Sequence, residues 1–292
     1  MRQWEVEAMF TETQWDHEVD VVCIGAEGAV LAAALVAVNA DLDVYSAITE
    51  STAAGSDLAA AVSYRGGDGQ TTKHLAGFDY AFGGAGRAQS FWPVRSVEDI
   101  VAPRSHRRGA IEPFFGAALE QWAHRCAAAP NGLVYNRVTR RQMTEMRSST
   151  RGEKIEAAVV GSVDLTPGSP ALSLRTWLRT QATEAGLVPD TDVRLVKLVF
   201  EDNGVAGAVI DTPDGVLAVR ARENFIIGLG DIPPERTRAL VSATEPVIVD
   251  VCLVSKAASR FGELEIVTAP GDDNRLLFVD TPEAELQLAS GL

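Results

Sequence analysis

The pattern of apolar and polar residues is clearest between residues 20 and 48. An apolar run at 20–24 predicts a strand buried on both faces, and Gly25 follows where such a strand turns into a helix. Residues 29–40 are almost entirely Ala, Val and Leu, which predicts a helix that lies close on a sheet. Residues 42–48 return as a second apolar strand. The stretch therefore predicts a strand–turn–helix–strand unit.

Such a unit is the usual opening of a dinucleotide-binding domain, where G-x-G-x-x-G forms the turn and an acid about 20 positions on binds the ribose. With Gly25 as the first glycine, Glu27 and Val30 hold the second and third positions. Gly28 stands where the pattern requires no glycine. The Glu27 carboxylate would compete with phosphates for N–H groups at the helix N-terminus. We expect the fold to be present and the cofactor site to be damaged.

The candidate cofactor-binding residues at this turn are Gly25, Ala26, Glu27 and Gly28. The acid that binds ribose is expected near Ile48, and Glu50 lies two residues later. Glu50 fits that role only if the end of the second strand is shifted. An intact site remains an alternative, because the N–H groups of Ala29 and Val30 would still cap a phosphate if Glu27 pointed away.

Further along, apolar residues at spacings of three and four predict helices at 113–130 and 169–185. Asn131-Gly132 ends the first helix. Ser169 is the expected N-cap of the second, and Gly186 closes it. Short apolar runs predict strands at 157–163, 192–200, 205–210, 217–221, 224–227, 247–254, 264–268 and 276–279.

Other segments carry weaker signals. Residues 51–64 predict a loop leading into a short helix, and the glycines of 65–77 predict a loop. Gly83 to Gly86 favour a mobile surface loop over a ligand-binding backbone. The basic cluster 104–108 favours pairing with acids of the chain over binding a substrate anion. Residues 137–158 are charged and weakly patterned, which is typical of a solvated face.

Composition narrows the class of partner. The chain has 292 residues, 46% of them apolar, and a net charge of −14, which argues against nucleic acid or an anionic membrane as partner. No apolar run is long enough to span a bilayer, and the acidic N-terminus is unlike a signal peptide. Three distant cysteines, Cys23, Cys126 and Cys252, indicate buried thiols in a reducing compartment. We therefore expect a cytoplasmic protein.

Other chemistry has little support in the sequence. No G-x-S-x-G elbow follows a strand, and the histidines lack zinc-ligand spacing. Cys23 lies inside the first predicted strand and is expected to be inert packing. Asp272-Asp273 predicts a turn rather than a metal site. We expect no metal and can assign no catalytic residue.

Four segments in order carry a family resemblance: DVVCIGAEGAVLAAAL, SPALSLRTWLRTQATEAGL, VRLVKLVFEDNGVAGAVI and RARENFIIGLGD. The set resembles the FAD-dependent oxidoreductases that include fumarate reductase and 3-ketosteroid dehydrogenase flavoproteins. The resemblance implies that strand backbone near Val196 borders the adenine. It also implies that Gly228, Gly230 and Asp231 stand where the family ends a strand with Ala-Thr-Gly-Gly. Asp231 is then an acid near the flavin that would repel or replace the cofactor.

The implied fold class is α/β. It consists of a Rossmann-like FAD-binding domain of glutathione-reductase type with a parallel sheet and β-meander, a reduced capping region, and a C-terminal antiparallel β segment. The ranges are an N-terminal arm at 1–18, the Rossmann-like domain at 19–60 and 165–235, the inserted capping region at 61–164, and the C-terminal β-rich segment at 236–292. The Trp-containing arm is equally consistent with docking on the body or on another subunit and with a strand or turn folded back on its own sheet.

The chain departs from that family in three ways. The phosphate-binding glycines are replaced, no family catalytic motif occurs between the two halves, and no Gly-rich closing segment follows Asp231. We expect the closing and capping segments either to be lost or to come from another chain.

Three functions follow as hypotheses. The first is a degenerate flavoprotein-like subunit that serves as a scaffold, in a homo-oligomer or with a complete flavoprotein partner. The second is an active FAD enzyme that transfers hydride to or from a ketosteroid or enoyl substrate, with its site completed by a partner. The third is a module that binds another ligand or a protein. FAD is the candidate cofactor, either retained or lost.

Overall fold

The structure, a computed structural model, describes residues 13–49, 57–82, 93–99, 116–129, 131–137, 143–149, 152–166, 172–202, 204–230, 238–241, 246–273 and 276–279. The predictions made for Glu50, Gly83 to Gly86, the 104–108 cluster, Ser169, Asp231 and most of the N-terminal arm lie outside the described residues. None of the helices in the described part of the chain has the length and apolar composition that a bilayer crossing requires.

The described helices are α1 (Glu27–Val38), α2 (Leu58–Ala61), α3 (Gly69–Ala76), α4 (Gly116–Ala128) and α5 (Leu174–Glu184), with a 3-10 turn at Asp79–Ala81. The described strands are β1 (His17–Gly25), β2 (Val44–Thr49), β3 (Val94–Asp99), β4 (Gly132–Tyr135), β5 (Thr144–Ser148), β6 (Lys154–Leu165), β7 (Leu172–Ser173), β8 (Asp190–Glu201), β9 (Gly204–Thr212), β10 (Gly215–Gly228), β11 (Arg238–Val241), β12 (Val247–Ser255), β13 (Phe261–Thr268) and β14 (Leu276–Val279). The fold is mixed and dominated by sheet.

The predicted strand–helix–strand unit is present as β1, α1 and β2. Strand β1 pairs in parallel with β2 on one side and with β10 on the other. Gly25 stands opposite Ile48 of β2 and Gly228 of β10, so the carboxyl ends of β1 and β10 meet at one edge. Strand β2 continues the parallel pairing to β8. This edge, where α1 begins, is where open α/β sheets bind ligands.

The large sheet contains two closed circuits of strand pairing. In the first, β1, β2, β8, β9 and β10 pair in turn, and β10 pairs back to β1. In the second, β13, β12, β6, β5 and β3 do the same, and β3 pairs back to β13. Strand β4 joins the two circuits through β10 and β13. Strands from the predicted inserted region and C-terminal segment therefore share one circuit, while the domain division itself stays a prediction.

Each face of the sheet has its own apolar core, as the alternation of side chains along a strand requires. Val22 and Ile24 of β1 point into a cluster covered by α2, α3 and α4. Val21 and Cys23 point into a second cluster covered by α1 and α5. Burial raises the pKa of Cys23 to about 12, which agrees with the inert packing role predicted for it.

Several local predictions were wrong. Residues 69–76 form helix α3 rather than a loop, because the Asp68 carboxylate accepts a hydrogen bond from Thr71 N and caps the first turn. Helix α5 is capped by Ser173 and begins at Leu174, later than predicted. The two strands predicted at 217–221 and 224–227 are one strand, β10. The weakly patterned 137–158 stretch contains β5 and the start of β6.

Candidate functional site

The turn from β1 into α1 is held tightly against the end of β10. Gly25 has a φ of +128°, and a Cβ at this position would overlap the carbonyl oxygen of Gly228. Ala26 N donates to that same oxygen at 3.3 Å. A Cβ at Gly228 would in turn lie 3.0 Å from the Cβ of Ala29. Both glycines are therefore required by contacts of the chain with itself.

Glu27 is the first residue of α1, and its carboxylate is held by two arginines of α5. Arg175 Nε donates to Oε2 at 2.8 Å and Arg179 Nε donates to Oε1 at 2.7 Å. The side chain is 14% exposed. Partial burial raises the pKa of Glu27, but hydrogen bonds from Arg179 and Arg175 outweigh it and hold the pKa below its usual value. Glu27 is an anion at neutral pH.

These contacts correct one expectation. The sequence predicted that Glu27 would compete with phosphates for the N–H groups of α1. Its carboxylate instead accepts hydrogen bonds from Arg175 and Arg179. The N-cap residue Ala26 supplies no side-chain acceptor to the helix. The negative charge thus stays beside the helix N-terminus, where it is favourable to the helix dipole.

Gly28 is packed against the side chain of Asn131. A Cβ at Gly28 would overlap Oδ1 of Asn131. Asn131 is buried, and its backbone is fixed because its carbonyl oxygen accepts from Leu264 N at 3.1 Å. The next residue, Gly132, accepts from Leu229 N at 2.7 Å. The chain itself therefore fills the space beside Gly28 in the first turn of α1.

Among the remaining predicted site residues, the structure describes Val196 and Gly230. Val196 lies at an irregularity in the pairing of β8 with β9 and is 41% exposed. Gly230 follows β10 with a φ of +61°. Val30, which lies in α1 at the position of the third fingerprint glycine, is buried. Glu50 and Asp231 are outside the described residues.

The residues at this edge do not fit a dinucleotide. Glu27 puts a negative charge at the N-terminus of α1, which disfavours a phosphate there, and the Asn131 amide takes the space beside Gly28. Arg175 and Arg179, the two arginines beside this edge, already donate hydrogen bonds to Glu27. We therefore derive no chemical step through a flavin at this edge.

Sequence reasoning missed Asn131, Arg175 and Arg179. Asn131-Gly132 was interpreted only as the end of a helix, yet α4 ends at Ala128 and Gly132 starts β4. Arg175 and Arg179 are one helical turn apart, and that spacing is a weak signal for a shared anion. They lie 148 and 152 residues from Glu27, so nothing local indicates their partner.

A second group of charges lies between α4 and the sheet, on the opposite face. Arg95 donates to both oxygens of Glu265, at 2.6 and 2.8 Å. It also donates to Glu153 at 2.5 Å, and Lys256 donates to the other oxygen of Glu153 at 3.0 Å. Arg125 of α4 adds a bond to Glu265 at 2.9 Å. Glu265 is fully buried and fully paired.

Glu263 lies two residues away on the same strand and is also fully buried. Arg125 Nε lies 2.6 Å from its Oε1, but the geometry makes no hydrogen bond, and neither carboxyl oxygen has a hydrogen-bond partner. Burial raises the pKa of Glu263 well above its usual value, and the charge of Glu265 raises it further. Glu263 therefore keeps its proton to a higher pH than an exposed glutamate does.

No protein-family model matches the chain, and a comparison with curated sequences finds no relative. Solved structures give partial matches. A flavocytochrome c3 fumarate reductase in its open conformation is 18% identical over 71% of this chain, with a TM-score of 0.29. The 3-ketosteroid-delta4-(5alpha)-dehydrogenase from Rhodococcus jostii RHA1 is 20% identical over 74%, also with a TM-score of 0.29. These are the two kinds of enzyme that the sequence resemblance named.

A geranylgeranyl bacteriochlorophyll reductase-like protein from Thermoplasma acidophilum is 13% identical over 70% of this chain, with a TM-score of 0.25. The matched parts cover 38% of that protein, 33% of the fumarate reductase and 47% of the dehydrogenase. The chain therefore corresponds to less than half the length of each. Likeness at this level does not transfer the activity of those proteins to this chain.

Proposed function

We propose that this chain is a flavoprotein-like scaffold subunit whose dinucleotide site has been filled by its own side chains. The observation that carries the proposal is the packing of the Asn131 amide against Gly28. A pyrophosphate at a helix N-terminus needs bare backbone and free N–H groups. Here the buried Asn131 side chain packs on the first turn of α1, and the Glu27 carboxylate lies at the start of that turn.

The scaffold role is supported by what is intact around the filled site. The β1–α1–β2 unit, its parallel pairing to β10 and the glycines at the strand ends are all present. These features serve packing of the chain with itself and need no ligand. A subunit of this kind would act by assembling with a second copy or with a complete flavoprotein.

The test is a titration of the purified chain with FAD, followed by flavin fluorescence and by the absorbance of the desalted protein. We expect no saturable binding and a colourless protein. One FAD retained per chain would overturn the proposal and favour the active oxidoreductase. Native mass spectrometry of the protein from its own host would test for the partner: a strictly monomeric protein contradicts the scaffold role.

A variant in which the turn is reopened tests whether Asn131 and Glu27 close the dinucleotide site. Asn131→Gly combined with Glu27→Gln removes the filling amide and the carboxylate that Arg175 and Arg179 bind. We expect affinity for inorganic pyrophosphate to rise about tenfold or more, since charge-assisted bonds to arginine become available. Glu18→Gln is the matched control, because it removes an exposed glutamate elsewhere on β1. Equal pyrophosphate affinity in all three proteins would show that these residues do not close the site.

A further inference from the structure

A cleft of about 560 Å³ opens on the face of the sheet opposite α1 and α5. Helix α3, the 3-10 turn after it, β8 and the turn between β12 and β13 form its walls. The lining side chains that bear on its chemistry are Lys73, His74, Phe78, Tyr80, Phe200 and Arg260. Its volume is within the range of small-molecule sites, which span roughly 300–1,000 Å³.

Four rings make the walls of this cleft aromatic. The His74 ring meets Phe78 and Phe200 edge to face, with centroids 5.5 and 5.3 Å apart. Tyr80 is 53% exposed, which is a large exposure for an aromatic side chain. It meets Phe261 edge to face at 6.1 Å. Rings fixed at these angles present a rigid apolar surface that suits another planar ring.

His74 contributes a neutral imidazole ring to the wall of the cleft. Its Nε2 lies 2.9 Å from Oδ1 of Asn136, and the amide nitrogen of Asn136 donates to Phe225 O at 2.8 Å. The amide is thereby oriented, so Nε2 of His74 carries the proton and donates. Burial lowers the pKa of His74, and the nearby charge of Arg260 lowers it further. The ring is neutral at neutral pH.

Two charged side chains among the described residues line the cleft, and both are cations. They are Lys73 and Arg260, and neither forms an ion pair with a described residue. Glu120 lies outside the lining, although its charge acts on Tyr80. The Arg260 guanidinium lies 5.7 Å from the centre of the Phe78 ring. In a chain of net charge −14, a concave surface with only cations is favourable for an anion.

We propose that this cleft binds a small planar aromatic carboxylate. The ring of the ligand would lie among Phe78, Tyr80 and Phe200, and its carboxylate would reach Arg260 and Lys73. A guanidinium binds a carboxylate through two parallel hydrogen bonds, while the ammonium acts as a point charge. Aromatic burial supplies affinity, and the two cations select the anion over a neutral ring.

The proposed ligand site is independent of the filled dinucleotide turn. Its residues pack on the core covered by α2, α3 and α4, whereas the turn belongs to the face covered by α1 and α5. Binding in the cleft is thus compatible with either outcome of the FAD titration.

The experiment is a titration of the full chain with 2-naphthoate, followed by isothermal calorimetry and by NMR line broadening of the ligand. We expect saturable binding of one 2-naphthoate per chain in the micromolar to millimolar range. The neutral analogue 2-naphthamide should bind about tenfold more weakly, because it lacks the charge that the cations recognise.

Variants locate the binding site. Arg260→Gln and Lys73→Met should each weaken 2-naphthoate binding, by about tenfold for the arginine and less for the lysine. Arg65→Gln is the matched control: it removes an exposed arginine that lines a different pocket, and should leave binding unchanged. All three substitutions are at exposed residues, and circular dichroism checks their folding. No saturable binding to the unmodified chain, or equal binding to the unmodified chain and Arg260→Gln, would overturn the proposal.

Discussion

Glu27 and Glu263 both lie beside arginines, yet their pKa values are shifted in opposite directions. Glu27 is slightly exposed and receives hydrogen bonds from Arg175 and Arg179, which lower its pKa despite partial burial. Glu263 is fully buried, and its pKa is raised by burial and by Glu265.

The difference lies in the competition for donors. Glu27 accepts hydrogen bonds from two guanidinium groups, whereas Glu265 takes the hydrogen bonds of Arg95 and Arg125 and leaves Glu263 with none. Burial and the neighbouring Glu265 therefore raise the pKa of Glu263 although an arginine lies close, whereas hydrogen bonds from two arginines hold the pKa of Glu27 low.

The largest effect is expected from removing the buried carboxylate that Arg95 and Arg125 share. Glu265→Gln should cost about 3 kcal/mol of unfolding free energy, because the buried Arg95 loses one of its two carboxylate partners. Glu263→Gln should change the unfolding free energy by less than about 1 kcal/mol at pH 5, since the native side chain is already neutral. Urea denaturation measures both. Equal losses in the two variants would erase the distinction between the paired and the neutral acid.

The next effect is a pH dependence of opposite sign for the two carboxylates. An unfolded glutamate has a pKa of 4.5, and Glu263 in the native state keeps its proton above that pH. The native state therefore binds more protons than the unfolded state, and stability falls as pH rises from 4.5 towards the native pKa. The slope is at most about 1.4 kcal/mol per pH unit. Glu263→Gln should gain stability relative to the unmodified chain over that window.

Glu27 should show the reverse. Its native pKa is below 4.5, so its contribution is present above pH 4.5 and is lost as pH falls through the native pKa. Glu27→Gln should cost about 1 kcal/mol at pH 7, given two partly exposed arginines. That cost should vanish towards pH 3. Denaturation curves at pH 3, 5 and 7 check both carboxylates, and parallel pH profiles for the two variants would contradict the assignment.

The smallest expected effect concerns the packing at the turn. Gly28→Ala should destabilise the chain by about 1 kcal/mol, because the new methyl group meets the Asn131 amide. In an Asn131→Gly background the same change should stabilise by several tenths of a kcal/mol, since alanine favours the helix over glycine. Thermal or urea unfolding of the four proteins in this cycle measures the coupling. An unchanged sign would show that Asn131 does not fill the space beside Gly28.

Much of the backbone could be predicted from the apolar pattern. The β1–α1–β2 unit, α4, β8 and β9 lie where the apolar periodicity predicts them, because burial of one face of an element imposes a period on its sequence. Helix α3 was missed because its glycines at 66, 67 and 69 obscure the start, although Asp68 caps it. Strand β10 was predicted as two strands for a similar reason. Polar residues interrupt its apolar pattern, and it pairs with different neighbours along its length.

The amino-acid sequence alone predicts that α1 begins at a turn with an altered glycine pattern, because the fingerprint spacing and the apolar periodicity involve neighbouring residues. The residues that fill the turn could be identified only from long-range contacts. Asn131 reaches Gly28, and Arg175 and Arg179 reach Glu27, across more than a hundred residues of chain. Periodicity shows which face of an element is buried, but it contains no information on which distant side chain shares that buried space. The raised pKa of Glu263 also depends on tertiary structure, because burial and the neighbouring Glu265 cause it.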